Sequence, residues 1–408
     1  MLVYCYTRHR LGPIKTPYAT PFELARVSQH PPSESKIYVI SRHYLKYILR
    51  ALGDEQAKLV QLTQLERASL HERPDYPIDF KNRGFSSVGK LRQFVAQGRK
   101  HKNVVRIAIM NGMGNGLGDN LIGLASLQHL ARLLTPHRVE FHLLQELNYR
   151  TAFLYQYQSN ILLRHSLMPL DEFLTMDFVI DLSDAANLPS LDQVSAASYN
   201  AHAFSINHLV RGEDLQARLS VDNNKVAVIR GLMEVRFQQA KPMVLLHPKA
   251  STALRTMPPE IAGALTHALI AQGFNVVSAF KYESEPLGFA DVSILSRNAD
   301  DLLHIVAAVD AVISVGTVVY HMAASLQKPT LLLATALPDV RSAQLMRGVI
   351  TYLPSAATEF VQNKHKAEDF ESLQIAQKFW AAVDVQDLAA TLRQHMHDSS
   401  KGFTHEPA

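Results

Sequence analysis

The feature that most restricts the fold is the run Val104-Val105-Arg106-Ile107-Ala108-Ile109-Met110, followed at once by a glycine-dense stretch and then by helical periodicity. A strand that is apolar at nearly every position has to be buried on both faces, as interior strands of parallel sheets are. Parallel neighbours in turn require crossover connections, usually helices. The rest of the chain supplies them. An apolar-periodic helix is expected from about Asn120 to Leu134, then strands at 139–144 and 176–183. The rhythm restarts after residue 235, with strands at 242–248, 274–280, 311–316 and 328–335. Helices at 258–273 (stopped by Gly273), 296–310 and 317–327 separate them, and a last helix runs from Gln386 to Met396. Such alternation implies βαβ units with right-handed crossovers. The expected class is α/β, with two Rossmann-like domains facing a cleft.

Residues 1–100 read differently. A short β-like start at Leu2 to Tyr6 precedes helical spacing of Tyr38, Tyr44, Leu45, Ile48, Leu49 and Leu52, and Pro74 and Pro77 end the segment. We expect a mostly helical accessory domain over 1–100 and Rossmann-like domains over 101–234 and 235–398, the second including the closing helix. A disordered tail is expected over 399–408. With 47% hydrophobic and 19% charged residues the chain is neither disordered nor fibrous. No apolar window is long enough to span a bilayer. No signal-peptide core opens the sequence, and the single cysteine, Cys5, cannot form an internal disulfide, so a cytoplasmic location is expected. Lys81, Arg83, Lys90, Arg92, Arg99, Lys100, Lys102 and Arg106 form a stretch without an acid, whereas the whole chain carries a net charge of only +4. Such a stretch is either a solvated linker face or a surface for phosphates, acidic acceptors or an anionic membrane.

Three loops follow expected strand ends and carry polar groups. The first is Gly112-Met113-Gly114-Asn115-Gly116-Leu117-Gly118-Asp119. It lacks the Lys-Ser/Thr ending of a P-loop, and its glycine spacing fails the dinucleotide fingerprint. That failure argues against a nicotinamide-dependent oxidoreductase, for which Glu146 would be the ribose-binding acid. Asp119 is either a helix cap or a general base at the carboxyl edge of a sheet. The second loop, His247-Pro248-Lys249-Ala250-Ser251-Thr252-Ala253-Leu254-Arg255, brings two cations, two hydroxyls and helix-terminal amides past a strand end. It is either an ordinary capped loop or the groups that a departing diphosphate needs. In the third, Thr317 is placed to cap a helix, and His321 lies one turn further on, either packed or touching a ligand.

These loops resemble glycosyltransferase family 9, the ADP-heptose:lipopolysaccharide heptosyltransferases, over roughly residues 104–395. The family's G-x-G-D-x-[LIV] loop is matched by Gly116-Leu117-Gly118-Asp119-Asn120-Leu121, and its Lys-x-Trp-Pro by Arg255-Thr256-Met257-Pro258. Its D-[TS]-G-x-x-H-x-[AT]-A-A-L-x-x-P is matched from Gly316 through Thr317, His321, Ala323-Ala324 and Leu326 to Pro329. Two departures stand out. Gly316 replaces an Asp that in the family touches the donor sugar, and Val318 replaces a Gly.

The resemblance implies the GT-B arrangement of two Rossmann-like domains and an inverting, metal-independent glycosyltransferase. Its donor would be a nucleotide sugar, ADP-heptose in the family, with no further cofactor and no metal. Asp119 would be the catalytic base. Lys249, Ser251, Thr252, Arg255, Thr317, Val318 and His321 would bind the donor, and Gly116, Gly118 and Asn120 would form the acceptor-side loop. The acceptor would be a glycan, glycolipid or protein hydroxyl, with peripheral contact to the anionic inner membrane surface and no nucleic-acid partner. The alternative is a binding or assembly protein that keeps this fold with weakened catalysis, a reading favoured by Gly316.

Overall fold

The structure of the protein, a computed structural model, describes residues 2–6, 37–41, 59–61, 78–79, 88–97, 104–110, 117–144, 153–156, 158–163, 167–173, 175–181, 216–279, 288–343, 346–354, 359–361 and 370–402. The chain divides into two compact units, Met1–Pro189 with Ala197–Asp214, and Ser190–Ala196 with Leu215–Ala408.

The described residues of the first unit form two sheets. Strands β1 (Leu2–Tyr6), β2 (Ile37–Ser41) and β3 (Leu59–Gln61) pair in parallel, and β8 (Leu167–Pro169) joins β2 antiparallel, giving the order β3-β1-β2-β8. The second sheet is wholly parallel. It contains β4 (Ile78–Asp79), β5 (Val104–Met110), β6 (Arg138–Leu144), β7 (Ile161–Leu163) and β9 (Phe178–Asp181), in the order β4-β9-β5-β6-β7. As its apolar run requires, β5 is interior: Val105, Ile107, Ala108 and Ile109 are at most 1% exposed. The helix Leu117–Leu133 leaves the carboxyl end of β5 and buries Leu121, Leu124, Leu127 and Leu130.

Within the first hundred residues, the described segments include strands where only helix is expected. Where helical spacing is read at Ile37–Ser41, the chain is a strand, because β1 and β8 flank it and supply backbone partners on both sides. β4 belongs to the β5 sheet. The helix Val88–Gln97 packs there too, with Leu91 and Val95 fully buried and Phe94 lying 5.5 Å from Phe178, ring centroid to centroid. The β5 layer therefore begins before residue 101. Two of the eight basic residues are structural here. Arg92 Nε donates to the Leu133 carbonyl at 3.1 Å, and Arg106 pairs with Glu140 at 3.5 Å. Lys90 is exposed, while Lys81, Arg83, Arg99, Lys100 and Lys102 lie outside the described residues. No described helix is long and apolar enough to cross a membrane.

The described residues of the second unit form one parallel sheet of β10 (Met243–His247), β11 (Asn275–Ser278), β12 (Phe289–Asp291), β13 (Ala311–Val315), β14 (Thr330–Leu333) and β15 (Val349–Tyr352). Its order is β12-β11-β10-β13-β14-β15, the 3-2-1-4-5-6 arrangement of a doubly wound nucleotide-binding fold. The helices Pro259–Ala271, Ala299–Ala308 and Val318–Ser325 fall where sequence places them, and Gly273 takes the positive φ of 87° that ends the first.

Three features of this unit differ from expectation. The helix Asn223–Glu234, assigned by sequence to the preceding domain, belongs here: Lys225 bridges Asp300 and Asp301 at 2.7 and 2.8 Å, and the Asp222 amide donates to buried His304. A helix not foreseen, Phe370–Ala381, buries Phe379 and Trp380 against the sheet. The last helix runs from Val385 to Gly402, through the start of the expected tail, and Gln394–Asp398 and Ser400–His397 bonds lie in its final turns.

At the amino edge of the central strand pair, Asp310 accepts from Arg230 Nη1 at 3.0 Å and from the Met243 amide at 2.8 Å. Arg230 also donates to the Ala308 carbonyl. Asp310→Ala leaves a half-buried guanidinium and the first amide of β10 without these acceptors. It is expected to lower unfolding free energy by about 1–3 kcal/mol in urea titration. Asp301→Ala, which leaves Lys225 its bond to Asp300, should cost under about 1 kcal/mol.

Candidate active site

In an open parallel sheet, ligands bind beyond the carboxyl ends of the strands where successive crossovers leave on opposite faces. In the second unit that point lies between β10 and β13, whose last paired residues are His247 and Ser314. The second and third loops of the sequence analysis start there and meet.

Pro248 to Met257 forms a closed loop. The Met257 amide donates to the Pro248 carbonyl at 2.8 Å, and the Thr256 hydroxyl bonds the Thr252 carbonyl at 2.9 Å while accepting from the Ala250 amide. A 3-10 turn, Ala253–Arg255, projects the Arg255 side chain. Its Nε and Nη2 donate to Thr252 Oγ1 at 3.3 Å and Ser251 Oγ at 2.8 Å, and its Nη1 donates to the Gly316 carbonyl at 2.5 Å. One guanidinium thus ties the loop after β10 to the loop after β13. All three acceptors are neutral oxygens. Arg255 makes no ion pair among the described residues, and two of its five N–H donors remain. Arg230 and Lys225, by contrast, spend their charge on carboxylates.

Beside Arg255 the helix Val318–Ser325 begins. Thr317 caps it, accepting from the Val319 amide at 3.2 Å, and its hydroxyl is also 3.2 Å from Ser314 Oγ. A helix start carries partial positive charge and amides that lack intrahelical partners. Val318, half-buried, opens the helix. Lys249 is exposed on the same loop as Arg255. His321 is only 7% exposed, with its ring centroid 4.0 Å from that of Tyr320, so it sits packed in the helix layer. Met257, at the family's Trp position, is 2% exposed in the core.

Asp119 and Asn120 lie in the first unit, in the opening turn of the helix Leu117–Leu133, with Gly118 just before them. Asn120 is 2% exposed, and its Oδ1 accepts from the buried Tyr155 hydroxyl at 2.5 Å. Its amide oxygen is thus committed inside the fold, at the helix start. Gly116 and the rest of the glycine loop back to residue 111 lie outside the described residues.

Two residues at the β10/β13 edge were missed by sequence reasoning. Thr335, just past β14, donates to the Leu254 carbonyl at 3.0 Å and holds the Arg255 turn from below. Asp339 packs against Gly316. Both follow the carboxyl end of a third strand, a position that would have marked them. No group of three or more His, Cys, Asp or Glu able to hold a metal occurs among the described residues.

No family model and no curated protein sequence matches the chain. Solved structures do. A family 9 glycosyl transferase from Veillonella parvula aligns over 72% of this chain and 97% of its own, with a TM-score of 0.52 and 11% identity. The fold is shared with a family 9 glycosyltransferase. Escherichia coli ADP-heptose lps heptosyltransferase II aligns over 72% of this chain and 99% of its own (TM-score 0.45, 12% identity). The iron-containing dodecameric glycosyltransferase TibC of enterotoxigenic E. coli covers 74% of this chain and 78% of its own (TM-score 0.45, 13% identity).

Burial pushes the His247 imidazole, at the end of β10, down to about 4. The folded state therefore keeps it neutral while the unfolded chain takes up a proton near its ordinary 6.5. Stability contributed by the neutral form is present above pH 6.5 and is lost as pH falls toward 4. His247→Gln should accordingly lose less stability than wild type between pH 7 and pH 4.5 in urea titrations. Parallel losses would show that His247 does not titrate differently on folding.

Proposed function

We propose that the protein is an inverting glycosyltransferase that moves a sugar, heptose-like by resemblance, from a nucleoside diphosphate to a hydroxyl of a glycan, glycolipid or protein. What carries the reading is Arg255, a cation held by three neutral oxygens beside a helix start at the β10/β13 edge. Such a charge is positioned but not neutralised, which suits a diphosphate that gains negative charge as it leaves.

In this mechanism Asp119 takes the proton of the acceptor hydroxyl, whose oxygen attacks the anomeric carbon opposite the leaving group. The carbon–oxygen bond to the diphosphate breaks, and its electron pair leaves on the phosphate oxygen. Arg255 and the amides of the helix that starts at Val318 receive that charge, with Lys249 on the same loop and Ser251 and Thr252 keeping the guanidinium aimed. A heptose-like donor implies ADP as the nucleotide. A cytoplasmic setting, and contact of the basic stretch with an anionic inner membrane surface, belong to the same proposal.

A thermal-shift series with ADP, UDP, GDP and the matching nucleosides tests it, because a ligand specific for the folded state raises the melting temperature. At least one diphosphate should stabilise wild type. Arg255→Ala should weaken its affinity by about 10- to 100-fold, the worth of one or two bonds to a charged group, and leave nucleoside binding unchanged. Equal losses for diphosphate and nucleoside would remove Arg255 from the phosphate site. Asp119→Asn should bind the nucleotide within a few-fold of wild type yet transfer sugar about 10²- to 10⁴-fold more slowly. Diphosphate binding without transfer from any nucleotide sugar would favour the binding-protein reading instead.

A further inference from the structure

Gly316 looks from sequence like a lost side chain. The structure gives a different reason for it. Its backbone does not require glycine, since the positive-φ glycines among the described residues are Gly273, Gly288 and Gly348. Space requires it. A Cβ built on Gly316 would overlap Asp339 Oδ2 and would stand 2.7 Å from Asp339 Cγ and 3.3 Å from its Cβ. The acid cannot easily step aside. Asp339 is 2% exposed, in the first turn of the helix Leu337–Ala343, and its amide and that of Val340 both bond the Ala336 carbonyl. The Leu337 amide in turn bonds the Val361 carbonyl. On its other side, Gly316 offers its carbonyl to Arg255. One residue is thus held between a guanidinium and a carboxylate carried by different crossovers, immediately before the helix start at Thr317 and Val318.

We propose that Asp339 is a positioning residue for the anion site, and that it and Gly316 form one packed unit that sets the Gly316–Thr317 turn. The carboxylate fills the volume of the missing side chain, fixes the direction of the Gly316 carbonyl and so fixes where Arg255 points. A side chain at 316 would drive Asp339 or the turn away and move the guanidinium with it. This inference rests on reading the β10/β13 edge as a diphosphate site.

The test is a cycle of Gly316→Ala, Asp339→Gly and the double variant, with Asp339→Asn as a volume-preserving control. Each is measured for unfolding midpoint and for affinity toward inorganic pyrophosphate, a probe without base or sugar. Gly316→Ala alone should lower the midpoint and weaken pyrophosphate binding at least tenfold. In the Asp339→Gly background the same methyl should change affinity by less than about threefold and leave the midpoint nearly unmoved, because the space is vacant. In the Asp339→Asn background the full penalty should return. If Gly316→Ala does not fold, recovery of folding in the double variant is the same result. A well-tolerated Gly316→Ala, or one equally harmful with and without Asp339, would overturn the pair. Coupling in the midpoints with no pyrophosphate binding by wild type would overturn the anion site while leaving the pair standing.

Discussion

The adjacency of β10 and β13 is the constraint on which the second unit depends. Because β11 and β12 extend the sheet on one side and β14 and β15 on the other, the connections leaving β10 and β13 depart in opposite directions. Their loops leave the strand ends side by side, and the Arg255 guanidinium ties one to the other. At the amino edge the same pair is closed by Asp310, which takes the first amide of β10 and the Arg230 guanidinium together. At the carboxyl edge no carboxylate among the described residues pairs with Arg255. Among the described residues the two ends of one strand pair are therefore built oppositely, one around a charge pair and the other around a guanidinium bonded to neutral oxygens.

Much of this was legible because it is local. A buried parallel strand is written as an apolar run, and the helices after β10, β12 and β13 follow spacing and caps that lie within one segment. What sequence could not show comes from long-range pairing. Ile37–Ser41 has helical spacing, yet it is a strand because β1 and β8 stand on either side. The bond between Asn120 and Tyr155 spans 35 residues, so no local pattern announces it. Asp339 is invisible as a partner of Gly316 because only the pairing of β13 with β14 brings the two crossovers together.

Arg255 illustrates how a residue type becomes a role. The sequence offers forty-one Lys and Arg residues, and spacing alone cannot rank them. The structure ranks them by what they touch. Lys225, Arg230 and Arg106 each face carboxylates, so their fields are largely cancelled nearby. Arg92 gives its Nε to a carbonyl that ends a helix, a common way to satisfy the last turn. Arg255 alone of these joins two strand-end loops while bonding only hydroxyl and carbonyl oxygens.

Under the proposed function, that arrangement would also account for the small, hydroxylated residues around Arg255. Holding a guanidinium in place with a carboxylate would cost the site its charge, since a diphosphate would then compete with an internal anion. Ser251, Thr252 and the Gly316 carbonyl hold it through three of its five N–H groups, and in the proposed function the other two would meet phosphate oxygens. Donors fixed before the ligand arrives need little reorganisation when negative charge develops, which is where electrostatic stabilisation of a leaving group gains most. Asp339 is packed behind Gly316 at 2% exposure. In the proposed arrangement it would shape the turn from behind while Arg255 faces the diphosphate.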